Sequence, residues 1–326
     1  MRVCVYGAGA VGGHVAGRLA RGGATVSVVG RGPHLAAMQA RGLEIRTDQG
    51  NFQVAVAASE DPAALGPQDM VVVAVKAPAL ASVASGIAPL LGPGTAVAFA
   101  MNGIPWWYFH GAGGPHDGRR LPQIDPGDAV WNAVGPERAI GGVVYSGCTV
   151  IEPGVVAVAG SNGLLIFGEP DGQMTERVQA LAAAVQAGGL TCQVTPRIRD
   201  RIWAKLAHNL GSGPMGVLTQ SSSQAMFADP VLGDALHRIT GEVAAVAAAM
   251  GCPIEPNPAA QIAHSRTSPH VSSIVQDLQL GRPMEIDAIF RMPLEIARLA
   301  GVPTPTLDLL VALATARARK AGLYGG

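Results

Sequence analysis

Arg2-Val3-Cys4-Val5-Tyr6-Gly7-Ala8-Gly9-Ala10-Val11-Gly12-Gly13-His14-Val15-Ala16-Gly17-Arg18-Leu19, followed beyond Gly22-Gly23 by Ala24-Thr25-Val26-Ser27-Val28-Val29, decides the fold of this 326-residue chain. Residues 2–6 are a short apolar run with β-branched Val3 and Val5, which reads as a buried strand. A glycine-rich turn follows, then an alanine-rich stretch to Leu19 that reads as a helix. Gly22-Gly23 ends the helix, and residues 24–29 read as a second strand. Strand, tight turn, helix and strand within thirty residues make a βαβ unit, whose crossover forces the two strands to run parallel.

Outward from that unit, apolar runs at 70–75 and 95–101 extend the sheet, with a helix expected over 80–91 and less regular strands over 43–56. Pro, Gly and Asp dominate residues 111–136, which read as a long loop. Strands are expected at 140–151, 155–159 and 164–168, then a helix over 174–187 and a short strand at 192–194. From 198 onward only helical periods appear, at 202–210, 231–250, 272–280, 285–300 and 306–319. The texture therefore changes near Pro196, and two domains are expected, 1–196 and 197–326, consistent with roughly 100 to 200 residues per domain.

Composition narrows the function. Hydrophobic residues are 48% and charged residues 14% of the chain, which favours a large buried core over disorder. Lys+Arg and Asp+Glu balance at 23 each, so there is no net positive field for a nucleic acid or an anionic membrane surface. No apolar run approaches the ~20 residues needed to span a bilayer. The first residues run straight into the glycine turn, so no signal peptide is expected. Cys4, Cys148, Cys192 and Cys252 lie far apart without a CxxC pair, which fits reduced thiols and a cytoplasmic protein.

Gly7-x-Gly9-x-x-Gly12 is a weak signal in a chain with 43 glycines. Its context strengthens it, because it follows a strand and opens a helix inside a βαβ unit. Gly7, Ala8, Gly9, Ala10, Val11 and Gly12 would cradle a dinucleotide pyrophosphate at the helix N-terminus. An NAD site would want Asp or Glu after the second strand; Arg31 stands there instead, and a guanidinium suits a 2′-phosphate, so NADPH is expected over NADH. The chain has only three lysines, Lys76, Lys205 and Lys320. An ammonium can be tuned to give up a proton where a guanidinium cannot. Lys76 ends an apolar strand and Asn102-Gly103 ends the next, both at the sheet edge where open α/β proteins bind ligands. Lys205 and Asn209 are spaced i, i+4 on one helix face. Glu285 follows Gly281-Arg282-Pro283 at a helix start.

Taken together, the N-terminal glycine motif, the strand ending in Lys76, Asn102-Gly103, Trp203-Ala204-Lys205-Leu206-Ala207-His208-Asn209 and the stretch from Ser272-Ser273-Ile274-Val275-Gln276-Asp277 to Glu285-Ile286-Asp287 resemble the ketopantoate reductase (2-dehydropantoate 2-reductase) family. The resemblance spans residues 1 to about 290. It implies an α/β N-terminal Rossmann dinucleotide-binding domain followed by an all-α C-terminal domain, with the active site between them, and an NADP-dependent oxidoreductase acting on CH-OH groups. The implied reaction is NADPH-dependent reduction of 2-dehydropantoate to pantoate, in pantothenate and coenzyme A biosynthesis. Lys205 is implied as general acid, with Glu285 as its catalytic companion on the substrate hydroxyl. Asn102, Asn209 and Ser273 would bind substrate, and Asn102, Lys76 and Arg31 would also face the cofactor. Two departures bear on the substrate: Gly213 and His270 stand where the family often has Asn. A third unusual feature is Trp106-Trp107-Tyr108-Phe109, which could wall a pocket or anchor the loop behind it.

Other readings remain open on the sequence. The histidines show no metal-ligand spacing, so no metal is expected. Gly211-Ser212-Gly213 lacks the frame of a hydrolase nucleophile and reads as loop. A ketopantoate-reductase-like enzyme for a different, bulkier 2-oxo acid is one alternative, and a non-catalytic NADP(H)-binding sensor or scaffold is another. A dehydrogenase of the 3-hydroxy acid or 6-phosphogluconate type shares the architecture but not the Asn102-Gly103 and Ser273 to Glu285 blocks. Alanine-rich stretches at 243–249 and 307–316 could be core or the contact of a homodimer.

Overall fold

The computed structural model describes residues 1–267 and 271–325, apart from the side chains at 161 and 162. Two compact units divide the chain: Met1–Met101 with Pro105–Ile198, and Asn102–Ile104 with Arg199–Gly326. The first unit holds the strands β1 (Arg2–Tyr6), β2 (Thr25–Val29), β3 (Leu43–Thr47), β4 (Phe52–Val54), β5 (Ala57–Ser59), β6 (Gln68–Val73), β7 (Leu91–Ala100), β8 (Ala139–Glu152), β9 (Val155–Gly168) and β10 (Thr191–Val194). They form one sheet in the order β4-β3-β9-β8-β7-β6-β1-β2-β5, with β10 on β9. The expected βαβ unit is present, with α1 (Ala10–Arg21) connecting parallel β1 and β2 and Tyr6 opposite Val29. β6, β7 and β8 continue the parallel register, whereas β8 with β9 and β3 with β4 are antiparallel.

Parallel strands are covered on both faces and so carry near-continuous apolar residues. Val3, Cys4, Val5, Val71, Val72 and Val73 accordingly have no exposed surface. Helices α1, α2 (Gly32–Arg41), α3 (Leu80–Gly86), α4 (Ala129–Val134) and α5 (Glu176–Ala187) complete this unit. Burying each valine contributes about 1.5–3 kcal/mol before chain entropy is charged against it.

A polar cluster sits inside this core. Arg18 Nε donates to His14 Nε2 at 3.2 Å, which places the imidazole proton on Nδ1, 3.0 Å from Ser146 Oγ. Arg18 also donates to the Gly188 carbonyl at 3.2 Å, tying α1 to the end of α5. Burial, and then the Arg18 charge, pull the His14 pKa down to about 4, so the ring is neutral.

Residues 111–136 are not structureless, since α4 forms within them. The Asp125 carboxylate accepts the Val130 and Trp131 N–H groups at 2.8 and 2.9 Å and so supplies the cap that Asp128 does not. The aromatic run in front is core: Trp106, Trp107, Tyr108 and Phe109 are each at most 2% exposed. Trp106 meets Phe99 and Trp131 edge-on at 5.4 and 5.6 Å, and the Arg120 guanidinium lies 3.1 Å over Trp131. The run anchors the long segment to the sheet rather than presenting an open wall.

The second unit is helical: most of α6 (Ile198–Thr219), then α7 (Ser223–Met226), α8 (Pro230–Ala249), α9 (Pro258–Thr267), α10 (Ser273–Gln279), α11 (Met292–Leu299) and α12 (Pro305–Lys320). Asp229 caps α8 by accepting the Val231 N–H at 2.8 Å. Glu242, in the middle of α8, accepts the Thr306 and Leu307 N–H groups at 3.0 and 2.9 Å, satisfying two free donors at the start of α12. The expected stop after Leu210 is absent, because α6 runs through Gly211-Ser212-Gly213 and Pro214. Close packing explains this: a Cβ on Gly211 would lie 3.4 Å from Leu236 Cγ, and one on Gly213 would lie 3.1 Å from the Phe290 ring. Tertiary contacts thus override weak helix propensity. The helix expected over 285–300 begins instead as a π turn, Asp287–Arg291, before α11. His270 lies outside the described residues.

Candidate active site

In the first unit, the carboxyl end of β1 turns sharply at Gly7, whose φ is +96° and whose Cβ, if present, would lie 2.5 Å from Val75 Cγ1. A Cβ on Gly12 would lie 2.0 Å from the Gly7 carbonyl oxygen. These two glycines are demanded by the protein itself. Gly9 differs, with an ordinary φ of −71° and nothing within 4 Å of where its Cβ would be. Its missing side chain leaves open space directly over the start of α1, where no acidic residue occupies the first turn. Free N–H groups, the positive end of the helix dipole and clearance for backbone approach fit a phosphate group.

Ala8 lies buried behind this turn, its N–H on the Val29 carbonyl at 3.3 Å, and Ala10, Val11 and Gly12 form the first turn of α1. Arg31, two residues past β2, is exposed at the N-cap of α2 and makes no ion pair among the described residues. Lys76 does not end its strand as expected: β6 stops at Val73, and Lys76 heads a 3-10 turn over Ala77–Ala79. Pro78 suits the start of that turn, where its missing N–H is not needed.

Asn102 also lies past its strand, because β7 ends at Ala100, and it groups with the second unit while Lys76 belongs to the first. Gly103 shows why. With φ at +87°, its Cα sits so close to the Ala288 carbonyl that a Cβ would be 2.5 Å from the oxygen, and the next residue, Ile104, donates its N–H to that oxygen at 2.8 Å. Asn102 is thereby docked beside the segment that starts at Glu285, which is itself 8% exposed.

Lys205 and Asn209 occupy one face of α6, both partly exposed. The Lys205 side chain keeps some surface, but burial of its ammonium pulls the pKa down to about 8. The same face continues to Gly213, against Phe290 and Ile274, and a Cβ on nearby Gly216 would lie 2.8 Å from Val275 Cγ2. Thus α6 packs on α10 and on the π turn, the elements that follow Ser273 and Glu285. Ser273 is exposed at the first position of α10, after the Ser272 cap. No cluster of three or more metal-ligand side chains occurs among the described residues.

A sheet with a phosphate-shaped turn, joined to a helical unit carrying a depressed lysine, two asparagines and a buried carboxylate, defines a dinucleotide-dependent oxidoreductase. Comparison with known proteins names the family. Residues 3–107 match the model for ketopantoate reductase PanE/ApbA, and residues 197–318 match the model for its C-terminal domain. The chain belongs to the ketopantoate reductase family. It is 42% identical to a 2-dehydropantoate 2-reductase of Mesorhizobium japonicum, over 99% of this chain and 100% of that protein. A Ralstonia solanacearum MolK2 structure of the ketopantoate reductase type superposes with a TM-score of 0.91 at 41% identity, covering 99% of each chain. The fold also extends to a D-mandelate dehydrogenase solved with NADH and anilino(oxo)acetate, at a TM-score of 0.81 and 21% identity, covering 99% of this chain and 100% of that one. The cofactor of the family is NADPH.

Sequence reasoning did not find the Ala288 carbonyl that accepts the Ile104 N–H. The only trace in the sequence is Pro293, whose missing N–H disturbs helix bonding one turn upstream.

Proposed function

We propose that this chain reduces 2-dehydropantoate to pantoate with NADPH, as a cytoplasmic enzyme of pantothenate and coenzyme A synthesis. Residues 1–196 act as the NADP-binding domain and 197–326 as the substrate domain. Lys205 carries the reading, because a buried ammonium with a pKa near 8 is a proton donor matched to neutral pH. When bound, NADPH supplies the hydride that the carbonyl carbon of the 2-oxo acid accepts. Lys205 gives its proton to the carbonyl oxygen as negative charge develops there, an interaction strongest in the transition state. At pH 7, below that pKa, most Lys205 side chains hold the proton.

Glu285 holds the substrate hydroxyl, Asn102 and Asn209 orient substrate, and Ser273 bonds its carboxylate. The turn from Gly7 to Gly12 cradles the pyrophosphate, Arg31 pairs with the 2′-phosphate, and Lys76 and Asn102 line the rest of the cofactor path. A homodimer completes the proposal, with the exposed Leu309 and Leu313 of α12 as its apolar contact; analytical ultracentrifugation decides it. The activity test follows NADPH absorbance with 2-dehydropantoate. Lys205→Ala should lose about 10²–10⁴ in kcat with NADPH affinity retained. Turnover that survives the substitution overturns Lys205 as the acid.

One observation favours a second substrate. On the face that carries Lys205 and Asn209, the next position is Gly213, whose space is taken by the Phe290 ring and not by a polar side chain. A less polar 2-oxo acid, which asks for no amide partner at that buried position, is the second reading. A higher kcat/KM for such an acid than for 2-dehydropantoate would move the substrate and keep the mechanism.

A further inference from the structure

The π turn after Glu285 releases one carbonyl from the helix. Met292 N–H, which in an α-helix would bond to Ala288, reaches back to Asp287 instead. The next donor in line is absent because residue 293 is proline. The Ala288 carbonyl therefore has no helical partner, and it accepts the Ile104 N–H at 2.8 Å, the bond that docks Asn102-Gly103 beside Glu285.

Residues with no part in the proposed chemistry hold this turn. Tyr324 donates its hydroxyl to Asp287 Oδ1 at 2.6 Å. Arg291 donates to the same oxygen at 3.0 Å and to the Tyr324 hydroxyl, closing a three-membered network across the π turn. Leu323 accepts the Met284 N–H at 3.0 Å and donates to the Ala318 carbonyl at 3.0 Å, so the segment is fastened to α12. Residues 323–324 thus grip the chain on both sides of Glu285, at 284 and at 287. We propose that Tyr324 is a positioning residue: through Asp287 and Arg291 it keeps the π turn wound, and the turn keeps Glu285 and Asn102 in register. This rests on the reading that Glu285 touches substrate.

The test is a double-mutant cycle in the full-length enzyme with NADPH and 2-dehydropantoate. Tyr324→Ala should lower kcat/KM about tenfold or more in the native background but less than about twofold in Glu285→Gln, because a misplaced carboxylate and an absent one cost the same interaction. NADPH affinity should not change. Tyr324→Phe, which keeps the ring and removes only the hydroxyl, should show the same non-additivity at smaller size, and it carries the cycle if the alanine variant does not fold. Hydrogen exchange at the Ile104 amide should accelerate in both variants. Additive losses, or Ile104 exchange that stays slow, overturn the positioning role while leaving the site reading intact. Undiminished turnover in Glu285→Gln alone overturns the site reading and the positioning role with it.

Discussion

Replacing Lys205 by methionine should cost activity and raise stability, and the two effects should part company with pH. In the unfolded chain the ammonium titrates near 10.5, in the folded protein near 8, so the folded state disfavours the charged form. Below pH 8 both states hold the proton and the full penalty is present. Between 8 and 10.5 the unfolded state binds more protons, so native stability rises with pH. A difference of about 2.5 pH units corresponds to roughly 3 kcal/mol. Methionine reproduces the unbranched apolar stem of lysine without the ammonium, so Lys205→Met should be more stable than native protein by up to that amount at pH 7. The gap should close towards pH 10.5. Urea unfolding at pH 6.5, 8, 9.5 and 10.5 measures it directly. A gap that is pH-independent, or a variant less stable than native at pH 6.5, would show that burial is not what tunes this lysine.

Three further expectations are independent of that one. Arg31→Ala should weaken NADPH by about ten- to a hundredfold with little change for NADH, since a charge-assisted contact contributes about 1.5–3 kcal/mol; fluorescence titration with both nucleotides compares them. Gly9→Ala should fold with an unchanged Tm yet bind NADPH poorly, whereas Gly12→Ala should not fold stably, given the 2.0 Å approach to the Gly7 carbonyl; equal behaviour of the two would discredit the cradle. His14 should make the protein acid-sensitive: its folded pKa of about 4 lies below the ordinary 6.5, so stability present above pH 6.5 is lost as pH falls towards 4, by roughly 3 kcal/mol. In His14→Gln that part of the pH dependence should vanish from thermal melts between pH 4 and 7.

The parts of the molecule readable from sequence are those with a local cause. Glycines at 7, 9 and 12 between two apolar runs specify a turn, and Val71 to Val73 specify a strand, without reference to distant residues. What the sequence hid depends on distant partners. Gly211 to Pro214 look like a break until Leu236 and Phe290 are seen against them, and the four aromatics at 106–109 look exposable until all four prove buried, Trp106 between Phe99 and Trp131. The candidate site divides along the same line. Lys205 and Asn209 follow from helical spacing, but the docking of Asn102 depends on a released carbonyl almost two hundred residues away, which no local pattern encodes.

That docking makes the two halves poor building blocks. The three residues Asn102–Ile104 are written into the first half of the gene yet belong to the second unit. A chimera joined at residue 197, with its nucleotide-binding half taken from a relative, would import a foreign Asn102-Gly103 strap and press it against an Ala288 carbonyl shaped for the native one. Cofactor preference and substrate preference are therefore not separately portable through a single crossover. Recombination within the family has to exchange the strap and the π turn together, or change them in step.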